Sequence, residues 1–500
     1  MTFAAGQSER VGDELGRRLA SIQPSERQVG WQQMEFYAFV HFGMNTMTGR
    51  EWGLGHEDPA LFDPSDLDVD GWMTALTSAG MAGVILTAKH HDGFCLWPSA
   101  ATQHTVAASP WQSGRGDLVR QVAEAAARHD LRLGLYVSPW DRTEATYGTG
   151  KAYDDFFVQQ LTELLSDYGP VFSVWFDGAN GEGSAGKHQN YDWDRYYRVI
   201  RKLQPGAVIS VCGPDVRWCG NEAGHTRSDE WSVVPASLRD VERIADDSQQ
   251  EDDGKFARLV RSDEDDLGSR SALRGHLDDL VWYPAEVNTS IRPGWFHHPE
   301  EDEQVRSAED LMEIWYASVG GNACFLLNVP PNAAGRISEP DADVLGRLGG
   351  LIADYSARRV STTVTVSSGV VPEGFGSASS TPGMPWAPTS DDPRPAVELH
   401  FDRPLSIEAI EVREDIRAGQ RVEDLVVIGM NGAVAFWLGS AHAVGHRRII
   451  RFEPRILDSA RVEIRGSRAE PRLLTVTAVA ARRRGEPNAA ASTGLDLHER

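Results

Sequence analysis

The chain has 500 residues, 41% of them apolar, and a formal net charge of −24 with His taken as neutral. At ~150 residues per domain this length exceeds one ordinary domain and suits a large barrel with an accessory domain. The negative balance excludes the basic face that nucleic acid or an anionic membrane surface needs as a partner. Cys95, Cys212, Cys219 and Cys324 have neither zinc-site spacing nor the density of a secreted disulfide scaffold, and read as reduced core thiols. No stretch approaches the ~18 consecutive apolar residues of a membrane-spanning helix. Met1 to Gln23 carries Glu9, Asp13 and Glu14 among arginines with no apolar run, so it does not read as a signal peptide, and a cytoplasmic protein is expected.

In chain order, residues 1–30 read as an exposed helical lead-in, with Val11, Leu15, Leu19 and Ile22 at helical spacing and Pro24 as a stop. Residues 31–355 then alternate strands with amphipathic helices. The strands are Glu35 to Phe42, Met81 to Ala88, Leu131 to Val137, Val171 to Phe176 and Ala207 to Cys212, followed by the less regular Val281 to Glu286 and Ala323 to Val329. This βα alternation predicts a (β/α)8-like barrel, with closure by an eighth strand inferred. The charged, helix-like stretch from Ala236 to Asp279 reads as an insertion over the barrel mouth. Residues 356–482 lose helical periodicity and fall into short alternating runs between Gly, Ser, Thr and Pro clusters, which predicts a C-terminal β-sandwich. Its plainer role is to pack against the barrel, although a sugar-binding module has the same texture. Residues 483–500 are expected to form a disordered tail.

In a parallel barrel the active site lies at the C-terminal strand ends. There this chain places His41, then His90 and His91, then Tyr136, then Trp175 and Asp177. Each has a plain alternative: Asp177-Gly178 alone is a common turn, and a single buried His is usually structural. As a converging set they suit a sugar, since imidazoles and carboxylates bridge vicinal hydroxyls and indoles cover an apolar C–H face. Histidines and an acid at strand ends also suit a metal-dependent hydrolase. Against that, adjacent residues on a strand point to opposite sides, which separates His90 from His91, so neither metal nor cofactor is expected.

The motifs HFGMNT (41–46) with Glu51-Trp52, AKHHDGFCLW (88–97), YVSPW (136–140), VWFDG (174–178) and GGNACFLLNVPPN (320–332) resemble glycoside hydrolase family 29, the α-L-fucosidases. The resemblance spans roughly residues 31–355 and implies a barrel followed by a β-sandwich, acting on fucosylated oligosaccharides or glycoconjugates. It also implies that Asp177 is the nucleophile of a retaining hydrolase, and that His41, Glu51, Trp52, His90, His91, Tyr136 and Trp175 hold the fucose. The stretch from Gly213 to Pro235 resembles the subgroup acting on 1,3 and 1,4 linkages, which makes Glu222 the acid/base, with Glu230 and Glu286 as rivals. Trp295 resembles the aromatic residue beside the C5 methyl. Asp215, Arg217 and Trp218 are expected to meet a second sugar. A non-catalytic sugar-binding protein on the same barrel is the alternative, because folds outlive their chemistry.

Overall fold

The computed structural model describes residues 14–181, 186–248, 266–378 and 383–482. The expected tail lies outside these residues, as do the start of the lead-in and residues 249–265 of the insertion. Ten strands build the first half: β1 (Phe36–Val40), β2 (Gly83–Lys89), β3 (Arg132–Val137), β4 (Val171–Phe176), β5 (Val208–Val211), β6 (Arg217–Trp218), β7 (Val233–Pro235), β8 (Leu280–Trp282), β9 (Ala285–Ser290) and β10 (Cys324–Asn328). Eight of them form a parallel sheet in the order β5-β4-β3-β2-β1-β10-β9-β6. A parallel bridge between Ser210 and Val216 then joins the two edges, so the sheet all but closes into a barrel.

Strands β1, β2 and β10 are buried along their whole length. That burial on both faces is why they read as continuous apolar runs rather than alternating ones. Helices on the outside start where the sequence offers a cap: Asp68 before Val69–Ser78, Asp117 before Leu118–Arg128 and Asp192 before Trp193–Leu203 each accept a backbone N–H of the first turn. Gly134 in β3 is required by contact, since a Cβ there would lie 2.8 Å from Ile85 Cγ1 and 3.0 Å from the Phe172 ring.

Two expectations are corrected, and the inferred eighth strand is located. The run from Val281 to Glu286 is not one strand: β8 pairs antiparallel with β7 outside the barrel, and β9 starts afresh at Ala285. The eighth strand is the two-residue β6, too short to carry any periodicity. The lead-in is not a free exposed helix, because Glu14–Ala20 buries Leu19 in a cluster with Val233, Leu273, Trp282 and Ile416.

The C-terminal sheet contains β11 (Arg359–Val360), β12 (Thr363–Val366), β13 (Ala396–Glu414), β14 (Val422–Asn431), β15 (Val434–Ala441), β16 (Arg448–Ser467) and β17 (Leu473–Ala480). The expected short runs are joined in β13 and β16 into two long strands, which stay paired through register shifts near His400–Leu405 and Ile407–Ala409. Such shifts bend a strand, so β13 and β16 run through both layers of the β-sandwich around Trp386, Leu399, Ile410, Leu425 and Val462.

Candidate active site

The C-terminal ends of β1 to β4 deliver the polar set into one place. Tyr136 and Trp175 are register partners on β3 and β4, and their rings stack with centroids 5.3 Å apart. Just past the end of β4, Asp177 receives Tyr136 OH on Oδ2 (3.1 Å) and the Ala179 amide on Oδ1 (2.8 Å). His91 Nε2 stands 3.8 Å from Asp177 Oδ2, and the Asp177 side chain is 24% exposed. Burial, with the Asp177 charge behind it, pushes the Tyr136 phenol well above its ordinary range, so it acts as a donor to the acid.

His90 and His91 are not separated by strand alternation. β2 ends at Lys89, the two histidines occupy the turn beyond it, and their rings lie 4.2 Å apart. Each imidazole has its proton placed by a neighbour. Ser138 Oγ donates to Trp140 O (2.6 Å), so it can only accept from His91 Nδ1 (2.7 Å). Asn328 Nδ2 is committed to Trp295 O (2.7 Å) and Ser290 Oγ (2.9 Å), which turns its Oδ1 to accept from His41 Nδ1 (2.8 Å). Asn45 Nδ2 donates to Glu51 O (2.9 Å) and to His90 Nδ1 (3.1 Å). Neutral His41 and His91 therefore keep an acceptor at Nε2, and neutral His90 a donor. Burial lowers His41 to about 3 and His91 to about 4, and burial, then the neighbouring His91 and His41 imidazoles, holds His90 well below its usual value. Among the described residues no group of three His, Cys, Asp or Glu side chains converges as a metal set.

Trp295 closes one wall. Its ring lies 5.1 Å from His41, and its Nε1 donates to Glu222 Oε2 (3.2 Å). Its loop is gripped by Glu51, which accepts Trp295 N (2.9 Å) on Oε2, and Phe296 N (3.3 Å) and His298 Nε2 (2.9 Å) on Oε1. Gly294 permits that approach, since a Cβ there would lie 2.6 Å from Glu51 Oε1. Trp52 stands edge-on to His91 (5.9 Å) and Trp140 (5.6 Å).

The rival acids lie elsewhere. Glu230 is buried between Arg217 (2.9 Å) and Arg227 (3.1 Å); burial alone would raise it, but the two guanidiniums hold it below the usual range. Glu286 is fully buried under Trp175, whose Nε1 donates to it (2.7 Å). The expectation that Asp215 and Arg217 meet a second sugar is overturned: Asp215 is tied to Arg201 and to Ile209 N, and Arg217 is buried against Glu230. Among the three, Trp218 alone is half-exposed, and its Nε1 donates to Asn288 (3.0 Å).

Asn45, Ser138, Trp140 and Asn328 hold the site together and were not singled out from the sequence, although each sits inside a motif quoted above. Their signal is a polar or aromatic residue at a strand end or in the segment that follows it, which turns and caps also produce.

The α-L-fucosidase family profile matches residues 56–356. Alpha-L-fucosidase 1 of Arabidopsis thaliana is 38% identical over 440 residues, covering 86% of this chain and 81% of that one. The crystal structure of a glycoside hydrolase 29 family member from an unknown rumen bacterium superposes with a TM-score of 0.74 at 34% identity, covering 96% of this chain and 80% of that one. A Ruminococcus gnavus fucosidase of family 29 in complex with fucose gives 0.77 at 26% identity, covering 96% and 97%. With its strand-end constellation and these relatives, the chain belongs to glycoside hydrolase family 29, the α-L-fucosidases.

Proposed function

We propose that this α-L-fucosidase works by retaining double displacement, with Asp177 as nucleophile and Glu222 as acid/base, on fucose linked 1,3 or 1,4 to branched glycans. The observation that carries the reading is Asp177 at the end of β4, its Oδ2 shared by Tyr136 OH at 3.1 Å and faced by His91 Nε2 at 3.8 Å. In the first step Asp177 Oδ attacks the anomeric carbon and the glycosidic C–O bond breaks, while Glu222 gives its proton to the leaving oxygen. In the second, Glu222 takes a proton from water, whose oxygen displaces Asp177 and releases fucose. Support for Glu222 over its rivals is its indole contact at 3.2 Å, against two acids wholly committed to buried partners. Two imidazole acceptors and one donor match sugar hydroxyls, and the Trp295 wall suits a methyl at C5, where a hydroxyl would lose its water without gaining a partner. The linkage preference rests on the resemblance of the stretch from Gly213 to Pro235.

The test is Asp177→Ala on an aryl α-L-fucoside. Turnover is expected to fall by about three or more orders of magnitude in a folded protein, with partial recovery on adding azide and a fucosyl azide product. Near-normal turnover without azide rejects Asp177 as nucleophile.

A further inference from the structure

Glu286 lies on β9, fully buried in the barrel interior. Both of its oxygens are taken: Trp175 Nε1 donates to Oε1 (2.7 Å), and Tyr37 OH donates to Oε2. Tyr37 OH in turn accepts from Trp31 Nε1 (2.8 Å). An indole from the helix Glu26–Gln32, a phenol from β1, a carboxyl from β9 and an indole from β4 therefore form one chain of hydrogen bonds across the barrel. Beyond Trp175 the chain continues by stacking onto Tyr136 at 5.3 Å, and from Tyr136 OH to Asp177 Oδ2 at 3.1 Å.

The proton count gives Glu286 a definite role. As a carboxylate it accepts from both donors. As a neutral acid it must place its own proton on an oxygen that already faces a donor. If that is Oε2, Tyr37 oxygen takes two incoming donors, Glu286 and Trp31, and the Tyr37 proton loses its acceptor in this chain. A charged acceptor holds an indole N–H about twice as strongly as a neutral one. We propose that Glu286 is a positioning residue for catalysis, which in its ionised form fixes the Trp175 indole beneath the sugar and, through Tyr136, the carboxylate of Asp177. This rests on the reading of Asp177 as the working carboxylate.

The titratable groups facing Glu286 are Tyr37 from β1 and Cys324 from β10, and burial first of all holds both protons far above the neutral range. Trp31, Trp175 and Trp218, the last being the register partner of Glu286 on β6, do not titrate. Glu286 is thus the member of the chain that titrates near neutrality, raised by burial to about 7 while its two donors pull it down.

The experiment is the pH profile of kcat/KM on an aryl α-L-fucoside for the full chain and for E286Q and Y37F, with D177A alongside to test the reading of Asp177 separately. In wild type the profile should rise through a partial step near pH 7 as the carboxylate forms, between two non-zero plateaus. E286Q, which keeps an oxygen for Trp175 but no charge, should sit about tenfold below the upper plateau and lack the step. Y37F keeps its ring against Phe172 (centroids 5.4 Å) and removes one donor, so its step should move to higher pH. A step retained in E286Q, or unmoved in Y37F, overturns the proposal even where stability has fallen. If E286Q does not fold, Y37F decides alone. Activity surviving in D177A counts against that residue's role and leaves the behaviour of the step to judge Glu286.

Discussion

Glu51 was expected to touch fucose, yet in the structure its carboxylate is spent on the Trp295 loop, and Glu51→Gln separates the two roles. The carboxylate accepts from Trp295 N at 2.9 Å, Phe296 N at 3.3 Å and His298 Nε2 at 2.9 Å. An amide has one acceptor oxygen, so its NH2 must face either the Trp295 amide or the pair Phe296 N and His298. The second arrangement is the milder, because a neutral His298 can turn an acceptor toward the amide, but Phe296 N loses its partner and the charge is gone. Hydrogen bonds to charged groups are worth about 1.5–3 kcal/mol each. With side chains 25% and 17% exposed, the lower half of that range applies, and about 2 kcal/mol corresponds to roughly 30-fold in the loop equilibrium. Since this loop carries the indole that meets Glu222 and covers His41, kcat/KM on an aryl α-L-fucoside should fall by up to ~30-fold with little change in Tm, because a mouth loop opens without the barrel. The Glu51 hydrogen bond raises His298 above the ordinary histidine value. The stability of the closed loop gained from that pair is therefore complete below pH ~6.5 and lost as pH rises through the raised value, and that slope in loop closure should vanish in E51Q. Trp295→Ala decides the route: if Glu51 acts through the loop, the double variant should be hardly worse than Trp295→Ala alone. Fully additive losses would mean that Glu51 contacts the sugar itself, and an E51Q enzyme at wild-type rate would refute the loop argument.

Two further outcomes are expected. A branched Lewis-type trisaccharide should give kcat/KM at least about tenfold above a 1,2-linked fucoside and an aryl fucoside, because binding energy from the second sugar can align the acid loop; equal values on this panel would leave general fucosidase activity standing without the linkage preference. His41 is lowered to about 3, so below pH ~6.5 the unfolded chain takes a proton that the fold refuses. On going from pH 7 to 5, wild type should lose about 2 kcal/mol more stability than His41→Asn in denaturant melts, and equal losses would mean that His41 charges within the fold.

Where sequence reasoning succeeded and failed follows from what each element needs. β4 is covered on both faces and is followed by an acid, so the placing of Trp175 and Asp177 at a strand end is legible from five apolar residues around Ser173 and the acid after them. β6 was not, since two residues held by Arg217–Ala285 and Trp218–Glu286 register have no period to detect. The division of the run from Val281 to Glu286 is a tertiary choice: β8 goes to β7 and β9 to β10, with only Tyr283 and Pro284 between them. β13 and β16 are legible only as short runs because the polar stretches at their register shifts resemble turns. The alternation rule misled at His90 and His91, which lie past the strand end where it no longer applies. Asp215 and Arg217 looked like glycan contacts because charge near an acid loop suggests a ligand, whereas their partners Arg201 and Glu230 lie 14 and 13 residues away along the chain.

The least legible part of the site is the direction of its hydrogen bonds, and on the proposed reading that direction carries specificity. A sugar hydroxyl both donates and accepts, so three imidazoles free to choose their tautomer would accommodate many arrangements of hydroxyls. Here Asn328 and Ser138 take the Nδ1 proton of His41 and His91, and Asn45 supplies a proton to His90 Nδ1. The outcome is two acceptors and one donor at fixed places, a pattern that rewards one stereochemical arrangement of hydroxyls over its epimers. Protonating His41 or His91 would turn an acceptor into a donor and reverse part of that pattern. Burial prevents it by lowering them to about 3 and about 4, so the same environment that makes acid destabilising for the fold keeps sugar recognition constant through the mildly acidic range. If the three histidines hold the sugar as proposed, Asn45, Ser138 and Asn328 set what they can recognise, although none of them need touch the substrate.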